Sequence, residues 1–576
     1  MLEIIHILSA TAKTCVHHPI DYSTSALWKF TSACETVAHG EFGEIIFVCF
    51  CSRSDCVVSG GFTTIDWAIV GAYFAVLAAL GWFLNRQKAE DARDYFLGGN
   101  QMSFWIVAVS VLATSQSAAT FLGGPDQGYR GDFTYVATNI GAIIAAIFVA
   151  KFLVPRFYAM RASTVYELLN ERYGVTAMKS AGGMYLAGRL LASGSRLYMA
   201  AIAVAMILYG NIQADSIISA AFIMMMIGFL VTFMGGIRSV LWSDLAQFGI
   251  YLLAAVMVLY FLWTEIPASG AQIMEALRNA PDGQNKLQFF NMDIDFSAPF
   301  AMISIVTGLV LLNIGNFGLD QDTSQRLLTC KDAKEGTRAL YLSVIVAVPV
   351  VWLFVAIGQL LHVFYDRPDL MGAAIGASVS GEFSGERITI FMHYILNEMP
   401  AGLRGLVTVG VIAAAVSTIN SGLNSMSSVI VQDFYRPWKE AHSKVAELHF
   451  VRAGQVSMGL VGLGLFATAV LCFYWQRYTD MALLDFALSV MVFAYSGLLG
   501  VYFTVVFTKR GSTASVIAAL AVGFLVSLVQ QSYIVDSFGL PESWKSLAFS
   551  WQLCIGTLIA FLVCASVSGS KVVADE

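Results

Sequence analysis

Charge is what this sequence has least of. Only 12% of its 576 residues are Asp, Glu, Lys or Arg, against 57% apolar, whereas soluble domains carry about 25% charged side chains. That scarcity excludes a water-soluble domain and points to an integral membrane protein. Charge of one sign is also missing. The formal net charge is −6, too mild for a nucleic-acid partner or a polybasic surface segment. Alternation is absent from the apolar runs, which favours helices over a transmembrane barrel. Metal spacing is lacking too. Cys15, Cys34, Cys49, Cys51 and Cys56 crowd the N-terminus, yet their spacings fit no zinc template. Nor does a charged start with an apolar run and a small-residue cleavage site mark a signal peptide. Residues 1–58 therefore read as a disordered or mis-started extension, with the true start near Val57 or Val58. Finally, no nucleophile–base or metal constellation is present. His362 and His393 stand apart near external loops, with no motif around them. No enzyme and no organic cofactor are expected.

Long apolar runs are what the chain has in abundance. A hydrocarbon core of about 30 Å needs about 20 apolar residues per helix. Thirteen stretches meet that need: 65–84, 104–122, 133–154, 180–209, 215–235, 240–263, 298–318, 339–365, 404–430, 453–474, 481–507, 513–536 and 548–569. The expected fold class is an all-α polytopic membrane protein. Lys and Arg collect in one set of loops, roughly 19 against about 8 in the other set. The richer set includes Arg156, Arg161, Arg238, Arg326 and Lys439. It should be cytoplasmic, placing the N-terminus outside and a short tail, 571–576, inside a cell (inner) membrane.

Polar residues inside spans are costly and so informative. Three clusters stand out: "VAVSVLATSQSAATFLGGPDQGY" (Val107–Tyr129), "LLNIGNFGLDQDTSQR" (Leu311–Arg326) and "VIAAAVSTINSGLNSMSS" (Val411–Ser428). Small residues and hydroxyls also serve helix contacts. The first two clusters, however, lie five helices apart, as the broken first helices of two inverted repeats would. Ala414, Ser417, Thr418 and Ser421 follow i, i+3, i+4, i+7 spacing and share one helix face.

Five motifs carry a resemblance: "DYFLGGNQMSFW" (Asp94–Trp105), "ATSQSAATFLGGPDQGY", "GGIRSVLWSDLAQ" (Gly235–Gln247), "NIGNFGLDQDTSQR" and "AAAVSTINSGLNSMSSVIVQDFY" (Ala413–Tyr435). Over about residues 62 to 569 the chain resembles the sodium:solute symporters, the family that includes bacterial sialic acid and galactose transporters. The resemblance implies a leucine-transporter-type fold within 59–570. The leading helix is 65–84, the inverted five-helix repeats are 104–263 and 298–507, and the trailing helices are 513–569. It implies alternating-access uptake of a small polar solute with co-transported sodium, by a chain functional as a monomer in membrane lipid.

The same resemblance supplies ligands. Sodium is a small, hard cation that takes several oxygens. The main site maps to the carbonyls of Ala113, Gln116 and Ala414 and the hydroxyls of Ser417 and Thr418. The alternative for the hydroxyls is back-bonding to the carbonyl at i−4. A second sodium site maps to Asp244, Asn420 and Ser421; the alternative is that Asp244 is solvated at the membrane interface. Solute contacts map to Ser115, Ser117, Thr120, Tyr135, Asn139, Arg196 and Asn313. Ala119 and Thr120 replace the acidic and amide pair of the galactose transporters, which argues against a galactose-like site.

Arg196 is the most telling single residue. It lies well inside a span and needs a partner. Counted back from Asp215, it aligns with the arginine that grips the substrate carboxylate in the family's sialic acid transporters. Either a protein carboxylate or carbonyl answers it, or the solute does. In the second case the solute is a sugar acid or another carboxylate, because a guanidinium donates two parallel bonds to that group. Transport of neutral sugars or polyols, or a transport-deficient receptor, are the competing readings.

Overall fold

A backbone in hydrocarbon must satisfy its own N–H and C=O groups, and this chain does so with helices. The computed structural model describes residues 62–84, 91–233, 235–281, 283–372, 382–383, 386–387, 389–476, 483–539, 541, 544–545 and 547–568. The expectations for residues 1–58 and for the tail 571–576 lie outside the described residues. Apart from two antiparallel two-residue strands, Glu382–Phe383 and Glu386–Arg387, every named element is helical.

The first series runs α1 (Thr64–Leu84), α2 (Ala92–Leu97), α3 (Phe104–Ser115), α4 (Ala118–Arg130), α5 (Thr134–Phe152), α6 (Val175–Tyr209), α7 (Ala214–Thr232) and α8 (Gly236–Glu265). The second runs α9 (Met302–Leu319), α10 (Gln321–Leu328), α11 (Ala333–Asp366), α12 (Leu403–Val429), α13 (Glu447–Gln476) and α14 (Leu483–Phe507). Two more follow, α15 (Thr513–Val529) and α16 (Phe549–Ser566). Among the described residues, 11 helices are long and apolar enough to cross a membrane. The α3–α4 pair, bent by 62°, makes a further broken span. At 17 residues, α15 is shorter than any of those 11 spans.

Both series are interrupted, the first at its second crossing, after α1, and the second at its first. In the first, α3 and α4 are separated by Gln116 and Ser117. In the second, α9 ends in a π-helical turn over Gly315–Leu319, and Asp320 leaves helical geometry (φ −83, ψ 118) to cap α10 by accepting from the Asp322 N–H at 2.9 Å. Helices that continue past these breaks surround α12. Nearly every residue of α12 from Val407 to Val429 is buried, the mark of a helix covered on all faces. It lies against α8, α6, α7 and α1. Close approach elsewhere needs glycine. On α4, a Cβ at Gly128 would stand 2.2 Å from the Val355 carbonyl oxygen, and on α11 one at Gly358 would stand 2.1 Å from that of Pro125. Glycine pairs of this kind let membrane helices cross backbone to backbone.

Candidate functional site

The α3–α4 break is built by short polar side chains that compete with helix hydrogen bonding. Gln116 (φ −87, ψ 81) and Ser117 (φ −88, ψ 179) leave the helix. The Ser117 hydroxyl accepts from the Ala119 N–H at 3.2 Å, and the Thr120 N–H turns to the Ser117 carbonyl at 3.0 Å. In a continuous helix, the N–H groups of Ser117 and Thr120 would have gone to the carbonyls of Ala113 and Gln116. Those two carbonyls, expected at the main sodium site, thus lose their helical partners.

On α12, Ala414, Ser417 and Thr418 are buried. The Thr418 hydroxyl donates to the Ala414 carbonyl at 3.0 Å, the back-bonded arrangement weighed above. The Ser417 hydroxyl instead donates to Asp244 Oδ1 at 2.6 Å. A hydroxyl that donates keeps its oxygen lone pairs, so both oxygens stay available to a cation. Helix α3 reaches this face directly: Thr114 Oγ1 is 3.3 Å from Ser421 Oγ.

Asp244 is not solvated. It is 0% exposed, and its Oδ2 accepts from the Ser110 hydroxyl at 2.5 Å and from Arg326 Nη2 at 3.1 Å. Arg326, read from sequence as a loop cation, is likewise 0% exposed. It lies on α10, where it also reaches the hydroxyls of Ser110 (Nε, 2.8 Å) and Ser421, and Asp322 Oδ1 (2.6 Å). The only forewarning was the Asp322–Arg326 spacing of i, i+4, which places opposite charges on one helix face. Asn420 is not brought to this cluster. With its amide oriented to satisfy its neighbours, it donates to Gly228 O at 2.9 Å, Thr232 Oγ1 at 3.0 Å and Val416 O at 3.2 Å, toward α7. Position on the helix decides this: Asn420 is one residue off the face shared by Ser417 and Ser421, about 100° away.

Beside the break lies a cavity of about 150 Å³. All seven side chains assigned to solute contact line it: Ser115, Ser117 and Thr120 at the break, Tyr135 and Asn139 on α5, Arg196 on α6 and Asn313 on α9. Several already use one polar group locally. Asn139 donates to Val136 O and Asn313 to Leu309 O, both at 2.8 Å, and Ser115 donates to Leu112 O at 2.8 Å. The lining also includes Gln116, Thr138, Asn316, Phe300 and Met491. The sequence offers Gln116 to the ion through its carbonyl and leaves its amide to touch ion or solute. Its Oε1 is buried with no hydrogen-bond partner among the described residues, so the amide adds an acceptor to the cavity wall. Phe300, in the turn before α9, and Met491, on α14, are themselves apolar, which is why they were missed.

The two arginines of α6 differ. Arg189 is 2% exposed and paired with Asp320 Oδ2 at 2.8 Å and with Asp322. Tyr495 donates to the same Asp320 oxygen at 2.7 Å. Arg196, one cavity wall away, touches the Met491 sulfur at 3.5 Å, and no carboxylate among the described residues forms an ion pair with it. His362, read as isolated, lies 2.9 Å from Asp366 across one turn of α11.

Comparison with known proteins agrees with this architecture. The pattern of the sodium:solute symporter family matches residues 95–523. The sodium/sialic acid symporter SiaT of Proteus mirabilis is 29% identical over 81% of this chain and 89% of its own. Sodium-coupled monocarboxylate transporter 2 of Bos taurus is 26% identical over 65% of this chain and 58% of its own. Among solved structures, a substrate-bound, outward-open sodium-coupled sialic acid symporter superposes with a TM-score of 0.72 at 22% identity, covering 88% of this chain and 98% of that one. Mhp1, a nucleobase-cation-symport-1 transporter, superposes at 0.50 with 15% identity, covering 84% and 97%. These likenesses show the fold.

Proposed function

We infer the transported solute from one premise: this chain belongs to the sodium:solute symporter family, so it moves a small solute with sodium. We propose that the solute is an anion, a sugar acid or another carboxylate, held in the cavity by Arg196. The observation that carries this reading is a guanidinium in a membrane-embedded cavity with no carboxylate partner among the described residues. A charge at such depth calls for a counter-charge, and the hydroxyls and amides around it suit the polar body of a sugar acid. The names of the relatives point the same way, since sialic acids and monocarboxylates are both anions.

Sodium at the α3–α12 contact would take the carbonyls of Ala113, Gln116 and Ala414 and the hydroxyls of Ser417 and Thr418. The ligands come from two helices, one broken and one continuous, so binding an ion there ties the break beside the cavity to α12. That tie is how the ion and the solute would depend on each other. All of these groups belong to one chain, which supports function as a monomer. The excess of Lys and Arg on one set of loops supports an inner-membrane orientation with the N-terminus outside and the C-terminus cytoplasmic.

The test is sodium-driven uptake into proteoliposomes, with matched acid and amide forms of sialic acids, sugar acids and short carboxylates as competitors. The acid forms should compete and the amides should not. Equal competition by the amides would overturn the anionic reading.

A further inference from the structure

Five charged side chains, each at most 2% exposed, form one unbroken line: Asp320, Arg189, Asp322, Arg326 and Asp244. Arg189 joins the first two carboxylates, and Arg326 joins Asp322 to Asp244. Three carboxylates against two guanidiniums leave the line one positive charge short of neutrality, in surroundings where an uncompensated charge is costly. Its Asp244 end is where an ion would complete it. There, Asp244 Oδ2 is taken by Ser110 at 2.5 Å and Arg326 at 3.1 Å, while the only hydrogen bond to Oδ1 among the described residues comes from the Ser417 hydroxyl, at 2.6 Å.

The position beside Asp244 is already full. The Asp244 carboxylate and the hydroxyls of Ser110 and Ser421 all face the Arg326 guanidinium. Ser421 also donates its own proton, to the Ser417 carbonyl at 2.7 Å, so its remaining lone pairs are what the guanidinium engages. A sodium ion placed there would need the same lone pairs and would sit against a like charge. The side chain has little reason to leave, because Asp322 holds its other end through both the side-chain and main-chain oxygens, at 2.6 and 2.8 Å.

We propose that Arg326 is the resident cation of the Asp244 position and excludes sodium from it, so that this chain binds a single sodium ion, at the Ser417–Thr418 face, whose charge completes the buried line. Asp244 is then a positioning residue. By accepting the Ser417 hydrogen bond, it turns that oxygen's lone pairs toward the ion and supplies the negative field behind it. The proposal deepens the sodium-symport reading and rests on it.

The experiment counts bound sodium directly, by saturation binding of radioactive sodium alone to the purified full chain. One ion per chain is expected in the wild type, none in the Ser417→Ala, Thr418→Ala double variant, and one in Arg326→Lys, which keeps a tethered cation. Two are expected in Arg326→Gln, falling back to one when Ser421→Ala is added. Two ions in the wild type, or one in a folded Arg326→Gln, would overturn the assignment of Arg326. The wild-type count decides even if Arg326→Gln does not fold. No bound sodium in the wild type would bring down the symport reading itself, whereas two would bring down only the role given to Arg326.

Discussion

Arg189 and Arg196 lie seven residues apart on one helix, about 10 Å along its axis at 1.5 Å per residue. They share a face and a side chain and have opposite surroundings. Arg189 is enclosed by Asp320, Asp322 and, through Asp320, Tyr495. Arg196 opens onto a cavity walled by hydroxyls and amides. The difference teaches that a charge in a membrane span is not a signal of function until its partner is known. Two turns of helix convert a charge that holds α6 to the break between α9 and α10 into one left to meet a ligand.

The sharpest way to break this comparison is to remove each guanidinium in turn. Arg189→Ala leaves the buried Asp320 without its guanidinium and Asp322 with Arg326 alone, and breaking a buried pair from one side costs about 3–5 kcal/mol. The variant should lose most folded protein, read as a drop in thermal unfolding temperature and in monodisperse yield in detergent. Arg196→Ala should fold nearly as the wild type does. Equal destabilisation of the two variants would erase the distinction between them.

Next in size is solute binding. Removing one partner of a desolvated charge pair costs on the order of 2–5 kcal/mol, so Arg196→Ala should weaken an anionic solute roughly 30-fold or more. Arg196→Lys should also bind poorly, because an ammonium lacks the two-pronged geometry. A neutral amide analogue should be nearly indifferent to both changes. Competition uptake with the acid and amide forms reads this out.

Sodium dependence should change by less. Ser417→Ala removes one ion ligand and a hydrogen bond to a carboxylate, the kind worth about 1.5–3 kcal/mol. The sodium concentration for half-maximal uptake should rise roughly tenfold or more, while the preference for acid over amide stays as it is. An unchanged sodium curve would remove Ser417 from the ion site. The smallest effect is expected at Asn313. Its amide already donates to Leu309 O, and a neutral hydrogen bond is worth about 0.5–1.5 kcal/mol. Solute affinity in Asn313→Ala should therefore fall by no more than about tenfold in the same uptake measurement.

Much of the site could be read from single residues because the membrane makes polarity rare. "ATSQSAAT" and "AVSTINS" stood out against apolar surroundings; the first lines the cavity, and the two meet where Thr114 Oγ1 lies 3.3 Å from Ser421 Oγ. The reading failed where charge was judged by its distance from a span. Arg326 looked like a loop residue because it follows the last apolar residue of α9. In the fold, the chain turns back into the protein after Leu319, and α10 is buried from end to end. Asn420 failed for a different reason. Its neighbours in sequence belong to the cluster, but a one-residue step around a helix aims its amide at α7.

By itself, the sequence determined the solvent, the helical class, the two interrupted crossings and the residues that can offer oxygen to an ion. Those follow from local rules: apolar length, the competition of Ser, Gln and Asn with helix hydrogen bonds, and the spacing of one helix face. Only the tertiary structure decided which charges are spent inside the protein. The line from Asp320 to Asp244 draws on α6, α8 and α10 and on the break before α10. Its bonded members are separated by up to 133 residues in the chain, as Arg189 and Asp322 are. Pairing at that range depends on how the helices cross, and no local pattern carries it. The same crossing leaves Arg196 facing the cavity.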